Sequence, residues 1–391
     1  MRLLKRIVGE EFAFDDEESL NAYSYDCSSI KIKPQTVLLP NNVEQLRRII
    51  VHANQHKTPI SIRGNGSGNR GGCLGKGIII CMKRFNRIIK LDTKTPYIEV
   101  QGGVTVSALN KVLKKNGFEL PLNPNNTSTS IGSFIVRNGS SEESYKYGRV
   151  IDLLKQITYI DGTGKYNSYN KKEDFKKIVS WEGNTGIVIS VKLKIIKISA
   201  EKNNTLDLIP FENNLELMKK FSLLKKREDI ISIEYLNKKC SKIIDLKENP
   251  HLIILYNGDK GSYKDLFKIK EILGVRKNLH LILWQKNYRF MDDFSIKKNN
   301  FFELMKFCDE KEIPCYGSLG TELFNCGFTN EKEWKNSSLI NLLKNLYVDF
   351  QGNNGFGLLK KDFVSKEKKS QLIMLKEKMD YNNLLNKGVI L

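Results

Sequence analysis

Two periods of apolar and polar residues run along this chain, one helical and one strand-like, and their order predicts its elements. From Asn42, the run NVEQLRRIIVHANQHKTP puts Val43, Leu46, Ile49, Ile50 and Ala53 on one helical face. Asn42 stands at its N-cap, with Gln45 three residues further on. Pro59 to Ile62 then alternates like a short strand and runs into glycines at 64, 66, 68, 71 and 72. Beyond the glycines, strand patterns cover Gly77–Ile80 and Tyr97–Val100, and a helix is predicted from Thr105 to Asn116, closed by Gly117. After a loop rich in Asn, Thr and Ser (123–133), strands resume at Leu153–Ile160, turn at Asp161-Gly162, and close at Gly186–Leu193.

The second half changes character. Helix-like stretches (Asn214–Lys225, Ser262–Leu273, Phe301–Lys311) interleave with strand-like ones (Ile231–Leu236, Leu252–Tyr256, Leu279–Trp284), which predicts an α+β layer of antiparallel strands covered by helices. At 391 residues the chain is long for one core, so two domains are expected, with a boundary near residue 200.

Composition excludes a disordered or fibrous chain: 40% hydrophobic and 28% charged residues, with 19 Phe and 15 Tyr, is ordinary globular material. The net charge of +20 raises nucleic acid or an acidic membrane surface as partners. The excess is spread along the chain, however: residues 1–200 carry 31 Lys+Arg against 18 Asp+Glu, and residues 201–391 carry 33 against 26. Lys- and Asn-rich stretches such as Tyr166–Lys177 indicate a compositional bias and a solvated basic surface. No helix-turn-helix, zinc-finger or RNP pattern is present, so nucleic acid is a poor expectation. No stretch approaches the ~18 apolar residues of a membrane span, and the N-terminal run lacks a signal-peptide core. A cytoplasmic protein is expected, with peripheral membrane contact left open.

The seven cysteines (27, 73, 81, 240, 308, 315 and 326) include no C-x-x-C pair, so reduced thiols are expected. Of the four histidines, only His52 and His56 share a helical spacing, at an end that reads as surface. No metal site is expected.

The loop Arg63-Gly64-Asn65-Gly66-Ser67-Gly68-Asn69 has few side chains to hold a ligand off its backbone, so successive N–H groups can face an anion such as a pyrophosphate. It is neither a Walker A loop nor a G-x-G-x-x-G opening a helix. Its company is more specific. With Pro40, Gly102-Gly103-Val104, Ser130-Ile131-Gly132-Ser133, Asn138-Gly139, Tyr147-Gly148, Asp161-Gly162 and Gly186-Ile187-Val188 in this order, residues 26–195 resemble the FAD-binding (PCMH-type) domain of the vanillyl-alcohol-oxidase family. In the tail, Gly355–Lys360 resembles the family's closing G-x-G-x-x-K segment, and Asp380–Gly388 resembles its D-P-x-x-x-x-N-P-G segment. Gly132-Ser133 replaces a Gly-Gly, and Tyr381 and Lys387 replace the two prolines.

The resemblance implies an α+β fold: a two-subdomain PCMH-type FAD-binding domain (1–200), a cap domain with an antiparallel sheet (201–345), and a tail (346–391) returning to the FAD domain. It implies pyrophosphate contacts from Arg63, Gly64, Asn65, Gly66, Ser67, Gly68 and Asn69, and phosphate and ribityl contacts from Thr129, Ser130, Gly132 and Ser133. Asn138, Ile187, Val188 and Asn386 complete the implied FAD set. Residues 63–72 lack the histidine that often carries flavin covalently, so non-covalent FAD is expected.

The implied activity is an FAD-dependent dehydrogenase or oxidase taking a hydride onto flavin N5 from a CH–OH group of a small molecule, a 2-hydroxy acid or a sugar-type alcohol, with an unidentified electron acceptor. Lys360 is the first candidate to stabilise reduced flavin or orient an acidic substrate, with Lys361 beside it. Tyr316, and Tyr288 with Arg289, are candidates in the cap. Competing readings are a reductase of the enolpyruvyl-glucosamine-reductase kind, a non-catalytic flavin-binding protein, and a basic nucleic-acid-binding protein.

Overall fold

The computed structural model describes residues 2–198, 204–224 and 227–391. The domain boundary expected near residue 200 falls on residues outside the described set, as does Lys225 at the end of a predicted helix.

The predicted first helix spans Val43–His56, with the Asn42 side chain accepting from the Gln45 N–H at 2.9 Å and Gln45 Oε1 accepting from the Asn41 N–H at 2.8 Å. It crosses over between two strands of a four-stranded sheet in the order Ala13–Phe14, Thr36–Leu38, Ile78–Cys81, Ile60–Arg63. The last three run parallel, and Ala13–Phe14 runs antiparallel. The free edge at Ile60–Arg63 is covered by the tail: Ile60 N–H donates to Leu384 O, and Asn386 N–H donates to Ile60 O, each at 2.8 Å. Asn386 Oδ1 then takes the Ile62 N–H, 324 positions away in the chain, at 2.8 Å. A distant segment thus extends the parallel sheet.

An antiparallel five-stranded sheet follows in the order Ile88–Asp92, Tyr97–Gln101, Ile187–Lys194, Leu154–Ile160, Tyr166–Tyr169. The helix Val106–Lys115, capped by Thr105, packs Val106, Leu109 and Leu113 into its core beside Ile98, Val100 and Val191. The third sheet has six strands, all antiparallel: Asn204–Pro210, His251–Asn257, Ile230–Leu236, Cys315–Ser318, Leu323–Phe328, Phe290–Ser295. Its alternating residues feed two cores. Leu252, Ile254 and Tyr256 join Phe221, Phe301 and Trp334 on one face, whereas Ile253 and Leu255 join Ile269, Leu279 and Leu283 on the other.

One element differs in kind from its prediction: Leu279–Gln285 is a helix. Every residue of Leu279–Trp284 except His280 is apolar, so periodicity alone does not separate a buried strand from a helix there. Asn278 keeps a near-helical backbone (φ −91°, ψ 6°) after the helix Leu266–Lys277, and Leu279 and Leu283, one turn apart, bury together. No described helix is long and apolar enough to cross a membrane.

Candidate functional site

A cavity of about 850 Å³, partly open to solvent, lies where the two N-terminal sheets meet the tail. One wall is the glycine loop. Gly64 lies so close to the segment Ser130–Ser133 that a Cβ there would stand 2.2 Å from Ser130 Oγ and 2.7 Å from Ser133 Oγ. Gly66 (φ +71°) sits on the Arg63 guanidinium, 2.2 Å from where its Cβ would be. Gly68 and Gly72 have no atom nearer than 3.6 Å at their Cβ positions. Side chains lace the loop to its neighbour: Asn65 Nδ2 donates to Ser128 O at 3.1 Å, and Asn126 Nδ2 to Ser67 O at 3.0 Å.

Of the residues assigned to FAD from sequence, Gly64, Asn65, Gly66, Ser67, Gly68, Thr129, Ser130, Gly132, Ser133, Ile187, Val188 and Asn386 line the cavity. Arg63, Asn69 and Asn138 do not. Arg63 turns beneath the loop, donating to Tyr25 O at 2.8 Å with its guanidinium 5.4 Å from the Tyr23 ring, so it props the glycines from behind. Asn69 and Asn138 each bury an Oδ1 without a hydrogen-bond partner, Asn138 with φ +52°.

The candidate catalytic residues lie elsewhere. Lys360 is fully buried outside the cavity, its Nζ 2.5 Å from Asp292 Oδ1 and donating to Phe350 O at 3.0 Å and to Asp293 O. With two carbonyls accepting from it and a carboxylate beside it, all inside the protein, it joins the tail to the strand Phe290–Ser295. Tyr316 does not line the cavity: it is buried with its ring 4.7 Å from the Arg276 guanidinium, on the sheet face it shares with Asn325 and Asp293, and burial pushes its phenol well up. Arg289 stacks on the Trp284 ring at 3.9 Å, and Tyr288 packs among the Leu279–Leu283 cluster. Lys361 is exposed.

Three lining residues that sequence reasoning passed over carry most of the cavity's charge. Arg137 donates from Nε to Ser133 O and from Nη2 to Thr129 Oγ1, both at 3.1 Å. Burial pulls its pKa down, while Glu182 and Asp293 pull it up. Among the described residues no carboxylate lies within ion-pair distance of it. Arg70, by contrast, is neutralised: Nη2 stands 2.7 Å from Asp293 Oδ1, both side chains buried. Glu182 holds the closing segment in place, accepting from Phe356 N–H at 2.7 Å and Gly357 N–H at 3.0 Å, and burial raises its carboxyl. The backbone there is strained, with left-handed Ser180 (φ 72°), Glu182 (φ 52°) and Gly183 (φ 80°). Asn386 Nδ2 and Gln351 Nε2, which donate to Glu182 O and Ser180 O, hold that conformation.

Among the described residues, none from 204–345 lines the cavity. The six-stranded layer reaches it through Asp293, which grips Arg70 and also accepts the Asn353 and Asn354 N–H groups at 2.7 and 2.8 Å. The signal for Arg70 and Arg137 was adjacency to Asn69 and Asn138 of quoted motifs, whereas Glu182 lies four residues before Gly186, outside any of them.

A glycine-walled cavity between a small parallel sheet and an antiparallel sheet, with open backbone at Gly68 and Gly72, fits a dinucleotide such as FAD, and the fold around it is of the PCMH FAD-binding type. Residues 34–168 match the FAD binding domain family. The chain is 25% identical over 219 residues to a D-lactate dehydrogenase of Anaerostipes hadrus, covering 53% of this chain and 44% of that one. It is 30% identical over 170 residues to the glycolate oxidase subunit GlcD of Escherichia coli (strain K12), covering 41% and 34%. The chain thus spans less than half the length of these curated relatives. Solved structures of alkyldihydroxyacetonephosphate synthase share the fold at a TM-score of 0.70 and 16% identity, over 98% of this chain and 85% of theirs.

Proposed function

We propose that this chain is an FAD-linked oxidoreductase that oxidises a small 2-hydroxy acid, with Arg137 holding the substrate carboxylate. The observation that carries this reading is the unneutralised guanidinium of Arg137 in the cofactor cavity. Its Nε and Nη2 are fixed by Ser133 and Thr129, which leaves Nη1 free to donate. The glycine loop offers its own N–H groups to the pyrophosphate, so the cation is spare for an acid. The names of the D-lactate dehydrogenase and glycolate oxidase relatives point to the same substrate class.

The flavin, when bound, supplies the hydride acceptor. The chain's part is positional. Arg137 orients the acid, Glu182 fixes the closing segment against the cavity, and the apolar side chains of Ile187 and Val188 wall the far side. FAD is held without a covalent bond in this reading: burial pushes the cavity-lining Cys73 thiol up to about 11, so it stays protonated. Seven free cysteines suit a reducing, cytoplasmic setting.

The test is anaerobic bleaching of the flavin spectrum by D-lactate, glycolate and neutral sugars, in the wild type and in Arg137→Met. A charge-assisted hydrogen bond worth about 1.5–3 kcal/mol predicts a roughly 10- to 150-fold rise in KM for the acids, with FAD content unchanged. Equal bleaching by neutral alcohols, or loss of FAD in the variant with no effect on KM in reconstituted protein, would defeat the assignment.

A further inference from the structure

Three cysteines that no metal spacing connects in the sequence meet at one point in the fold. Cys308 lies on the helix Phe301–Glu310, and Cys315 and Cys326 lie on the adjacent strands Cys315–Ser318 and Leu323–Phe328, directly opposite each other in register. All three are fully buried, and their sulfurs lie within 4.8 Å of one another. Cys308 and Cys326 are 3.9 Å apart. A cation centred in a triangle of that edge sits about 2.3 Å from each sulfur, the length of a zinc–thiolate bond. Bringing the remaining sulfurs to that spacing takes shifts of under about 1 Å.

The geometry points to a structural thiolate site for one soft cation, Zn(II) or Cu(I), that pins the helix Phe301–Glu310 to the hairpin beneath it. Soft thiolate donors select these ions over the hard cations that carboxylates prefer. The surroundings are built to hold the ligands in place. Cys315 N–H donates to Asn237 Oδ1 at 3.1 Å, and Phe301, Leu304, Phe324 and Phe328 pack in the same core. The other two fully buried cysteines, Cys81 and Cys240, belong to different clusters and are not part of this triad. With no opening to solvent, the ion has to load as the chain folds, releasing thiol protons as it does so.

The full chain is unfolded under reductant, refolded with one equivalent of Zn(II) or of Cu(I), desalted, and analysed for bound metal. One ion per chain is expected, with an upward shift of the unfolding midpoint. Cys308→Ser with Cys326→Ser should abolish retention, and Cys27→Ser, at an exposed thiol, should leave it intact. Which ion survives desalting identifies the cation. Because the double variant can fail to fold, Co(II) substitution of the wild type gives an independent measure: a sulfur-to-cobalt charge-transfer band is expected. Refolded wild type that retains neither ion and shows no such band, or retention unchanged in a folded double variant, would overturn the site and leave three thiols packed as small apolar side chains.

Discussion

Replacing Asp293 by Asn tests the joint through which the six-stranded layer grips the cofactor loop. The carboxylate faces Arg70 at 2.7 Å, with side-chain exposures of 3% and 4%, and accepts two backbone N–H groups, from Asn353 and Asn354. Burial alone would raise its pKa, but Lys360 and Arg70 override that and hold the carboxyl far below its usual range. The amide of the variant keeps the shape and loses the charge, stranding a buried guanidinium. Breaking a buried pair from one side costs about 3–5 kcal/mol. Lys360 keeps Asp292 at 2.5 Å, so its charge adds little, and about 4 kcal/mol, roughly a thousandfold in the folding equilibrium, is expected. Urea unfolding of the FAD-free protein, followed through the fluorescence of buried Trp334, reads the change next to the site, since its indole N–H donates to Asp292 at 2.8 Å. Adding Arg70→Met should recover most of the loss, because removing both charges of a buried pair is close to neutral. The depressed pKa also fixes a pH signature. This stabilisation is full above the unfolded carboxyl pKa of 3.8 and is lost as pH falls below it, so the variant should show a flatter acid limb. A single variant that loses less than about 1 kcal/mol, or a double variant as damaged as the sum of its parts, would refute the reasoning.

Gly64→Ala drives a Cβ to 2.2 Å from Ser130 Oγ, so FAD affinity should drop at least about tenfold, whereas Gly274→Ala, where nothing lies within 4 Å, should gain roughly 0.5–1 kcal/mol of helix stability; equilibrium dialysis with FAD and urea midpoints check the pair. Lys360→Met leaves Asp292 buried without its cation and should cost about 3–5 kcal/mol of stability while the folded fraction keeps its flavin spectrum and a kcat within about twofold. A large kcat loss at unchanged stability would return Lys360 to the chemistry. Burial lowers the pKa of His251, whose Nδ1 lies 2.9 Å from both Asn249 O and Ser241 Oγ. The unfolded chain therefore takes up a proton first as pH falls through 6.5, and stability should decline on that side. His251→Gln should flatten that decline in urea midpoints measured at about pH 7.5 and 5.5, either side of that value.

Local periods and turn residues were enough to predict the helix Val43–His56 with its Asn42 cap, the strand Ile60–Arg63, the glycine loop after it, and the helix Val106–Lys115 with its stop at Gly117. Each depends on residues within one or two turns of chain: a cap, an alternation, a glycine at positive φ. Where the pattern carried no period, at Leu279–Trp284, only the preceding helix and the core decided the element.

Motif order, and through it the family resemblance and the glycine wall of the cavity, could be read from the order of residues along the chain. Which charges serve that cavity emerged from the packing of distant segments. Sequence adjacency does not say that Lys360 is held inside the protein by Asp292 and two carbonyls, that Arg70 is neutralised by a residue 223 positions away, or that Arg137 has no carboxylate at ion-pair distance among the described residues. The same holds for Cys308, Cys315 and Cys326, which share no metal-ligand spacing yet lie within 4.8 Å of one another. The reason is range: caps and turns act over a few residues, whereas the partner of a buried charge or thiol is set by which distant segments pack against it.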